Sequence, residues 1–94
     1  MSSLIRHVLN KRGNVAGHKI LKEETNFMKS KGMKRINGNK RKTWEDKDGY
    51  WYQWDSQHGA LEVWDPKQKN HLKEIDPVTG KKTKNGEKGR KFDR

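Results

Sequence analysis

All four tryptophans and both tyrosines of this 94-residue chain fall between Trp44 and Trp64. Across the whole chain apolar residues make up only 28%, where a globular domain usually has nearer half. A chain this short buries only about two-thirds of its unfolded surface. Any core must therefore be assembled around that aromatic window. The window is written in strand language, rich in aromatic and β-branched residues and bounded by turn residues. Tyr50-Trp51-Tyr52-Gln53-Trp54-Asp55 follows the turn Lys47-Asp48-Gly49, and Ala60-Leu61-Glu62-Val63-Trp64 follows the polar loop Ser56-Gln57-His58-Gly59. Residues 70–75 form a third strand after Asp65-Pro66. Thr43-Trp44-Glu45 is a candidate first strand, and the turn Asp76-Pro77-Val78-Thr79-Gly80 leads to a short last one.

Helical patterning is confined to the N-terminal part. Ser2 or Ser3 caps a short helix whose Leu4, Ile5, Val8 and Leu9 share a face, ended by Gly13-Asn14. A second helix is predicted from about His18 to Ser30, with Ile20, Leu21, Phe27 and Met28 on one stripe and Gly32 as terminator. From Gly32 to Lys42 the chain is basic and aperiodic, either a solvated linker or a phosphate-contacting arm through Lys40, Arg41 and Lys42. Residues 81–94 share that composition and carry no sign of order. The predicted class is α+β: an antiparallel meander of four to five strands, preceded by one or two short helices.

Side chains alternate across a strand, so register decides which residues share a face. If Ser56–Gly59 is the hairpin loop, Asp55 pairs with Ala60, Gln53 with Glu62 and Trp51 with Trp64. Tyr50, Tyr52, Trp54, Leu61 and Val63 then form the core face. A loop over residues 65–70 pairs Trp64 with His71 and Glu62 with Lys73, and sends Leu72 to the core. The solvated face collects Asp55, Glu62, His71 and Lys73 beside His58, with Trp51 and Trp64 free to stack bases.

Length excludes a two-domain enzyme, a doubly wound nucleotide fold and an α/β barrel. No apolar run is long enough to span a bilayer, and no signal-peptide core follows Met1. The absence of cysteine rules out disulfides and thiolate zinc sites. His7, His18, His58 and His71 are scattered without metal-ligand spacing, so neither metal nor cofactor is expected. A net charge of +11 calls for a polyanionic partner, nucleic acid foremost. A carboxylate beside an imidazole on a basic surface holds the parts for RNA cleavage without metal: a base for the ribose 2′-OH, an acid for the 5′-oxygen, and a cation for the phosphorane. The same residues also fit a non-catalytic RNA-binding module.

The run Trp54-Asp55-Ser56-Gln57-His58-Gly59-Ala60-Leu61-Glu62 resembles the active-site segment of the ribosome-inactivating colicins and cloacin. The family segment reads Glu-Trp-Asp-Ser-Gln-His-Gly-Glu-Leu-Glu, so this chain departs at Gln53 and Ala60. The likeness continues through His71-Leu72 and Asp76-Pro77-x-Thr79-Gly80, with Lys40-Arg41-Lys42 and Trp44 upstream. It covers about 41–94, a ribonuclease domain preceded by a helical and basic segment over 1–40. The resemblance implies a highly twisted sheet and cleavage of small-subunit ribosomal RNA near the decoding site. It places catalytic groups at Asp55, His58 and Glu62, and, counting without gaps, at Arg90. It also puts an active-site histidine at His71. Glu62 is then the base, His58 the acid, and Asp55 orients His58, although base and acid are exchangeable at this level. Lys73, Trp51, Trp64 and Lys40-Arg41-Lys42 complete the expected RNA-binding set. An acidic immunity protein is the expected protein partner. The expected place of action is the bacterial cytoplasm, reached by secretion or delivery within a larger toxin.

Overall fold

The structure, a computed structural model, describes residues 19–92. These form a six-stranded antiparallel sheet in chain order. The strands are β1 (Lys34–Ile36), β2 (Thr43–Glu45), β3 (Trp51–Asp55), β4 (Ala60–Trp64), β5 (His71–Ile75) and β6 (Lys82–Asn85). The described helix is α1 (Asn26–Ser30), of five residues. No helix among the described residues is long and apolar enough to cross a membrane.

The α+β expectation is therefore corrected toward a sheet with one helical turn. The helix expected over Leu4–Leu9 lies outside the described residues. The one expected from His18 to Ser30 survives only in α1, where Thr25 caps the start by accepting from the Met28 amide at 3.1 Å. Upstream of Thr25 the backbone is claimed by the sheet instead. Lys19 N–H donates to Ser56 O, Lys19 O accepts from Trp54 Nε1 at 3.1 Å, and Leu21 O accepts from Lys42 Nζ at 2.9 Å. Helices this short are marginal in water, so these tertiary bonds outweigh helical propensity. A strand was not expected at Lys34–Ile36. It forms because Arg35 pairs with Trp44 and lays its guanidinium 5.5 Å from the centre of that ring.

The β3–β4 hairpin has the expected register: Asp55 opposite Ala60, Gln53 opposite Glu62 and Trp51 opposite Trp64. One face packs the core of Tyr52, Trp54, Leu61, Val63 and Ile75 against Trp44, Leu21, Met28 and Met33. Segment 19–40 thus shares one core with the later strands. Tyr50 stays outside it, 38% exposed just before β3 begins.

The β4–β5 ladder departs from simple alternation. Trp64 pairs with His71 as expected, but the register then shifts and Glu62 faces Glu74, not Lys73. The extra residue is Leu72, which is 39% exposed and not in the core. A bulge of this kind changes which side chains point to each face. Here it sends Lys73 to the opposite side and turns Glu74 toward Glu62, while Ile75 joins the core. A second shift, between Glu74 and Ile75, skips Thr83 in the β5–β6 ladder.

The face expected to be solvated is covered. Gln53, Asp55, Glu62, Trp64, His71 and Glu74 are all buried. The covering element is the C-terminal segment, read from composition as disordered. Phe92 meets Trp51 and Trp64 edge-on at 5.6 and 5.3 Å, and Glu87 N–H donates to His71 Nδ1 at 2.9 Å. The segment approaches closely because Gly86 has no side chain: a Cβ there would collide with the carbonyl oxygens of His71 and Leu72. Gly86→Ala is expected to cost about 1–3 kcal/mol through overpacking. It should also lift the segment from Trp64, read as a lower urea midpoint and red-shifted tryptophan emission.

Candidate active site

The loop between β3 and β4 sets the first part of the site. Asp55 Oδ1 accepts from the Gln57 and His58 amides at 3.0 and 3.2 Å, and the Gly59 amide donates to Asp55 O at 2.8 Å. Gly59 closes the loop at φ +65°, a conformation that favours glycine. The turn swings the His58 ring back over the sheet. Its Nδ1 lies 2.8 Å from Asp55 Oδ2 and 3.2 Å from Glu74 Oε2. Both carboxylate side chains are nearly buried, while that of His58 is 47% exposed. Carboxylates only accept, so Nδ1 carries the proton and Nε2 is the nitrogen left for a substrate.

The second part is centred on Glu62, in the middle of β4 and 2% exposed. Its Oε1 accepts from His71 Nε2 at 2.6 Å. Because His71 Nδ1 already accepts from the Glu87 amide, the ring is held as the Nε2–H tautomer. Arg90 Nη1 lies 3.4 Å from Glu62 Oε1 and also 3.4 Å from Glu87 Oε1. The same guanidinium sits 5.8 Å from the centre of the Trp64 ring.

These contacts separate the two neighbouring carboxyls. Burial works to raise the Asp55 pKa, but the hydrogen bond with Glu62, the His58 and Gln57 amides and the His58 ring outweigh it, and Asp55 lies below the usual aspartate value. Glu62 is pushed up by burial, held down in part by His71, pushed up again by Asp55 and eased by Arg90; the net direction is upward. Of the pair, Asp55 is the readier carboxylate and Glu62 the readier proton acceptor. Ligand atoms of Asp55, His58, Glu62 and Glu74 lie within 4.8 Å of one another. Within this set His58 Nδ1 faces Asp55 Oδ2, and Glu62 Oε1 accepts from His71 Nε2.

The structure thus brings together Asp55, His58, Glu62, His71 and Arg90, with Trp51 and Trp64 under the covering segment. Lys73 is elsewhere: it lines a cavity of about 370 Å³ on the other side with Asp46, Tyr50 and Leu72. Trp64 does not offer a stacking face, since it is fully buried against His71, Phe92 and Arg90. The Lys40-Arg41-Lys42 run leaves the sheet beside the Asp55 end of β3, where Lys42 O accepts from the Trp54 amide at 2.9 Å. Lys40 and Arg41 are exposed there. Two residues escaped the sequence reading. Glu87 acts through its amide, which no composition reports. Glu74 had a signal: His71 and Ile75 share strand parity, yet one belongs with Trp64 and the other is apolar, so an irregularity was needed between them.

A small, basic, sheet-built chain that gathers carboxylates, imidazoles and a guanidinium on one covered face is of the class that cytotoxic domains represent. The Cytotoxic family matches residues 16–93, and the chain belongs to that family. It is similar to Colicin E3 of Escherichia coli, 46% identical over 55 residues that are 57% of this chain. It is likewise similar to Cloacin of Escherichia coli, 46% identical over 57 residues that are 60% of this chain. The matched segment is 10% of the length of either relative.

Proposed function

We propose that the chain is a toxin endoribonuclease that cleaves 16S ribosomal RNA near the decoding site and so blocks translation. The observation that carries this reading is the linked set Asp55, His58, Glu62 and Arg90, in a member of the Cytotoxic family. Glu62 takes the proton of the ribose 2′-OH, whose oxygen attacks the adjacent phosphorus. Arg90 neutralises the pentavalent phosphorane, and His58, acting as the imidazolium with its Nδ1–H held by Asp55, delivers its Nε2 proton to the departing 5′-oxygen and is left as the Nδ1–H tautomer. The P–O5′ bond breaks, leaving a 2′,3′-cyclic phosphate and a 5′-hydroxyl. Asp55 holds Nδ1 of the acid. His71 Nε2–H steadies the Glu62 oxygen that Arg90 also approaches, so a phosphate that draws Arg90 away also removes a cation favouring ionised Glu62. These four groups supply every proton and charge the step needs, and metal independence follows as part of the proposal.

A producer of such an activity needs an inhibitor. An acidic immunity protein fits the net charge of +11, with association that slows as salt rises. The domain acts in the cytoplasm of a target bacterium, delivered within a larger toxin. The test is primer extension across ribosomal RNA after incubating intact ribosomes with the chain. A single stop near the decoding site is expected, retained in EDTA at levels that leave ribosomes intact and lost when the target nucleotide carries 2′-H. Cleavage of the deoxy substrate points to activated water instead. Tight binding without cleavage favours the non-catalytic RNA-binding module, for which the basic, exposed β6 and Lys40-Arg41 provide a surface.

A further inference from the structure

Glu74 is a buried carboxylate that no step above uses. Its Oε2 lies 3.2 Å from His58 Nδ1, and its Oε1 accepts from the Thr83 hydroxyl at 2.6 Å. Among the described residues, His58 is the ion-pair partner within reach, although Lys84 stands opposite Glu74 in the ladder. Burying a carboxylate with so little compensation is costly. Both participants reach this place through irregularities. The bulge at Leu72 turns Glu74 onto the covered face, and the shift at Thr83 lets the Thr83 hydroxyl meet it. Regular pairing would have put Lys73 there.

We propose that Glu74 is a positioning residue for His58, gripping Nδ1 jointly with Asp55 so that Nε2 stays aimed at the reacting phosphodiester. The inference rests on the ribonuclease reading for its catalytic consequence. Its reason lies in the company Asp55 keeps. A carboxyl oxygen of Asp55 lies within 4.8 Å of one of Glu62, and Glu62 gains a proton during the proposed reaction. The Asp55 grip on His58 is therefore disturbed when Glu62 takes the substrate proton. Glu74 faces the same nitrogen from another strand, and its second oxygen is tied to Thr83 and not to Glu62. It keeps the imidazole in place through the proton transfer. Other charged groups near this cluster are Arg90 and Glu87 from the C-terminal segment, both on the Glu62 side.

The test combines kinetics with nitrogen NMR of the His58 ring in the 94-residue chain. Glu74→Ala is expected to lower kcat about 10-fold, less than the roughly 10²–10⁴-fold of a group that itself transfers the proton, while KM stays close to that of the parent. Glu74→Gln retains an acceptor of the same length and should recover most of the loss. Thr83→Val, which frees Oε1, should reproduce part of the effect and add nothing to Glu74→Ala. In the NMR experiment neutral His58 should be the Nδ1–H tautomer in the parent and a tautomer mixture in Glu74→Ala. The His71 signals serve as the check that the fold persists. An unchanged His58 tautomer in Glu74→Ala overturns the grip, whatever the activity. A raised KM at constant kcat also overturns it, by making Glu74 a substrate contact. If the parent cleaves no ribosomal RNA yet the tautomer changes as expected, the ribonuclease reading fails and the grip on His58 stands.

Discussion

Glu62→Gln is expected to reduce RNA cleavage by about 10²–10⁴-fold, the usual contribution of a positioned general base, while the folded state keeps or gains stability at neutral pH. The stability half follows from burial. Glu62 is 2% exposed and its carboxyl pKa is raised, first by burial. A carboxyl with a raised folded-state pKa binds its proton more tightly when folded. The stability this contributes is complete below the unfolded value and is lost as pH rises through the folded one. At neutral pH ionised Glu62 is thus a net cost, which the neutral amide removes while its oxygen still accepts from His71 Nε2. Urea denaturation at pH 7 should give a midpoint at or above the parent's, and the difference should narrow as pH falls through the carboxylate range. Retained cleavage at unchanged pH would remove Glu62 from the mechanism. A lowered midpoint would mean that the Arg90 ion pair outweighs desolvation.

Arg90→Ala is expected to lower kcat by about 10²–10³, or roughly 2.7–4 kcal/mol, the range for losing one preorganised contact to transition-state charge. It should also move the acid limb of the pH–rate profile to higher pH. Arg90 favours the charged form of Glu62, so without it the base is protonated over a wider range. Single-turnover cleavage of ribosomes over a pH series measures both effects. Arg90→Lys should recover part of the rate, since an ammonium keeps the charge but lacks the planar fork of donors. An Arg90→Ala chain that cleaves at the parent rate would place the phosphate contact on another cation.

The nearness of Asp55, His58 and Glu62 was legible in the sequence because their spacing is local. Asp55 and His58 are joined by a tight turn whose Gly59 and capping carboxylate are both written in the sequence. Glu62 follows from the register that this turn imposes on β3 and β4. The aromatic window likewise determined the core: Trp44, Tyr52, Trp54, Leu61 and Val63 had nowhere else to go. Arg90, to which the resemblance pointed, lies 3.4 Å from Glu62 Oε1.

Three features were decided only by the tertiary structure. Irregular backbone over 19–25 replaced helix because the side chains of Trp54 in β3 and Lys42 just before β2 took its carbonyls. The fate of Glu74 and Lys73 turned on one bulge, and a one-residue slip exchanges faces without leaving a mark on the alternation of single strands. The covered face depended on Gly86, Glu87 and Phe92, whose partners are far away in sequence and act through close backbone approach, an amide and an aromatic edge. Hydrophobic periodicity and turn chemistry are properties of neighbouring residues, and they determined the hairpin, the core and the Asp55–His58–Glu62 spacing. Bulge position and the docking of a polar, glycine-containing tail depend on hydrogen bonds and packing between remote segments, which form only once the sheet is assembled.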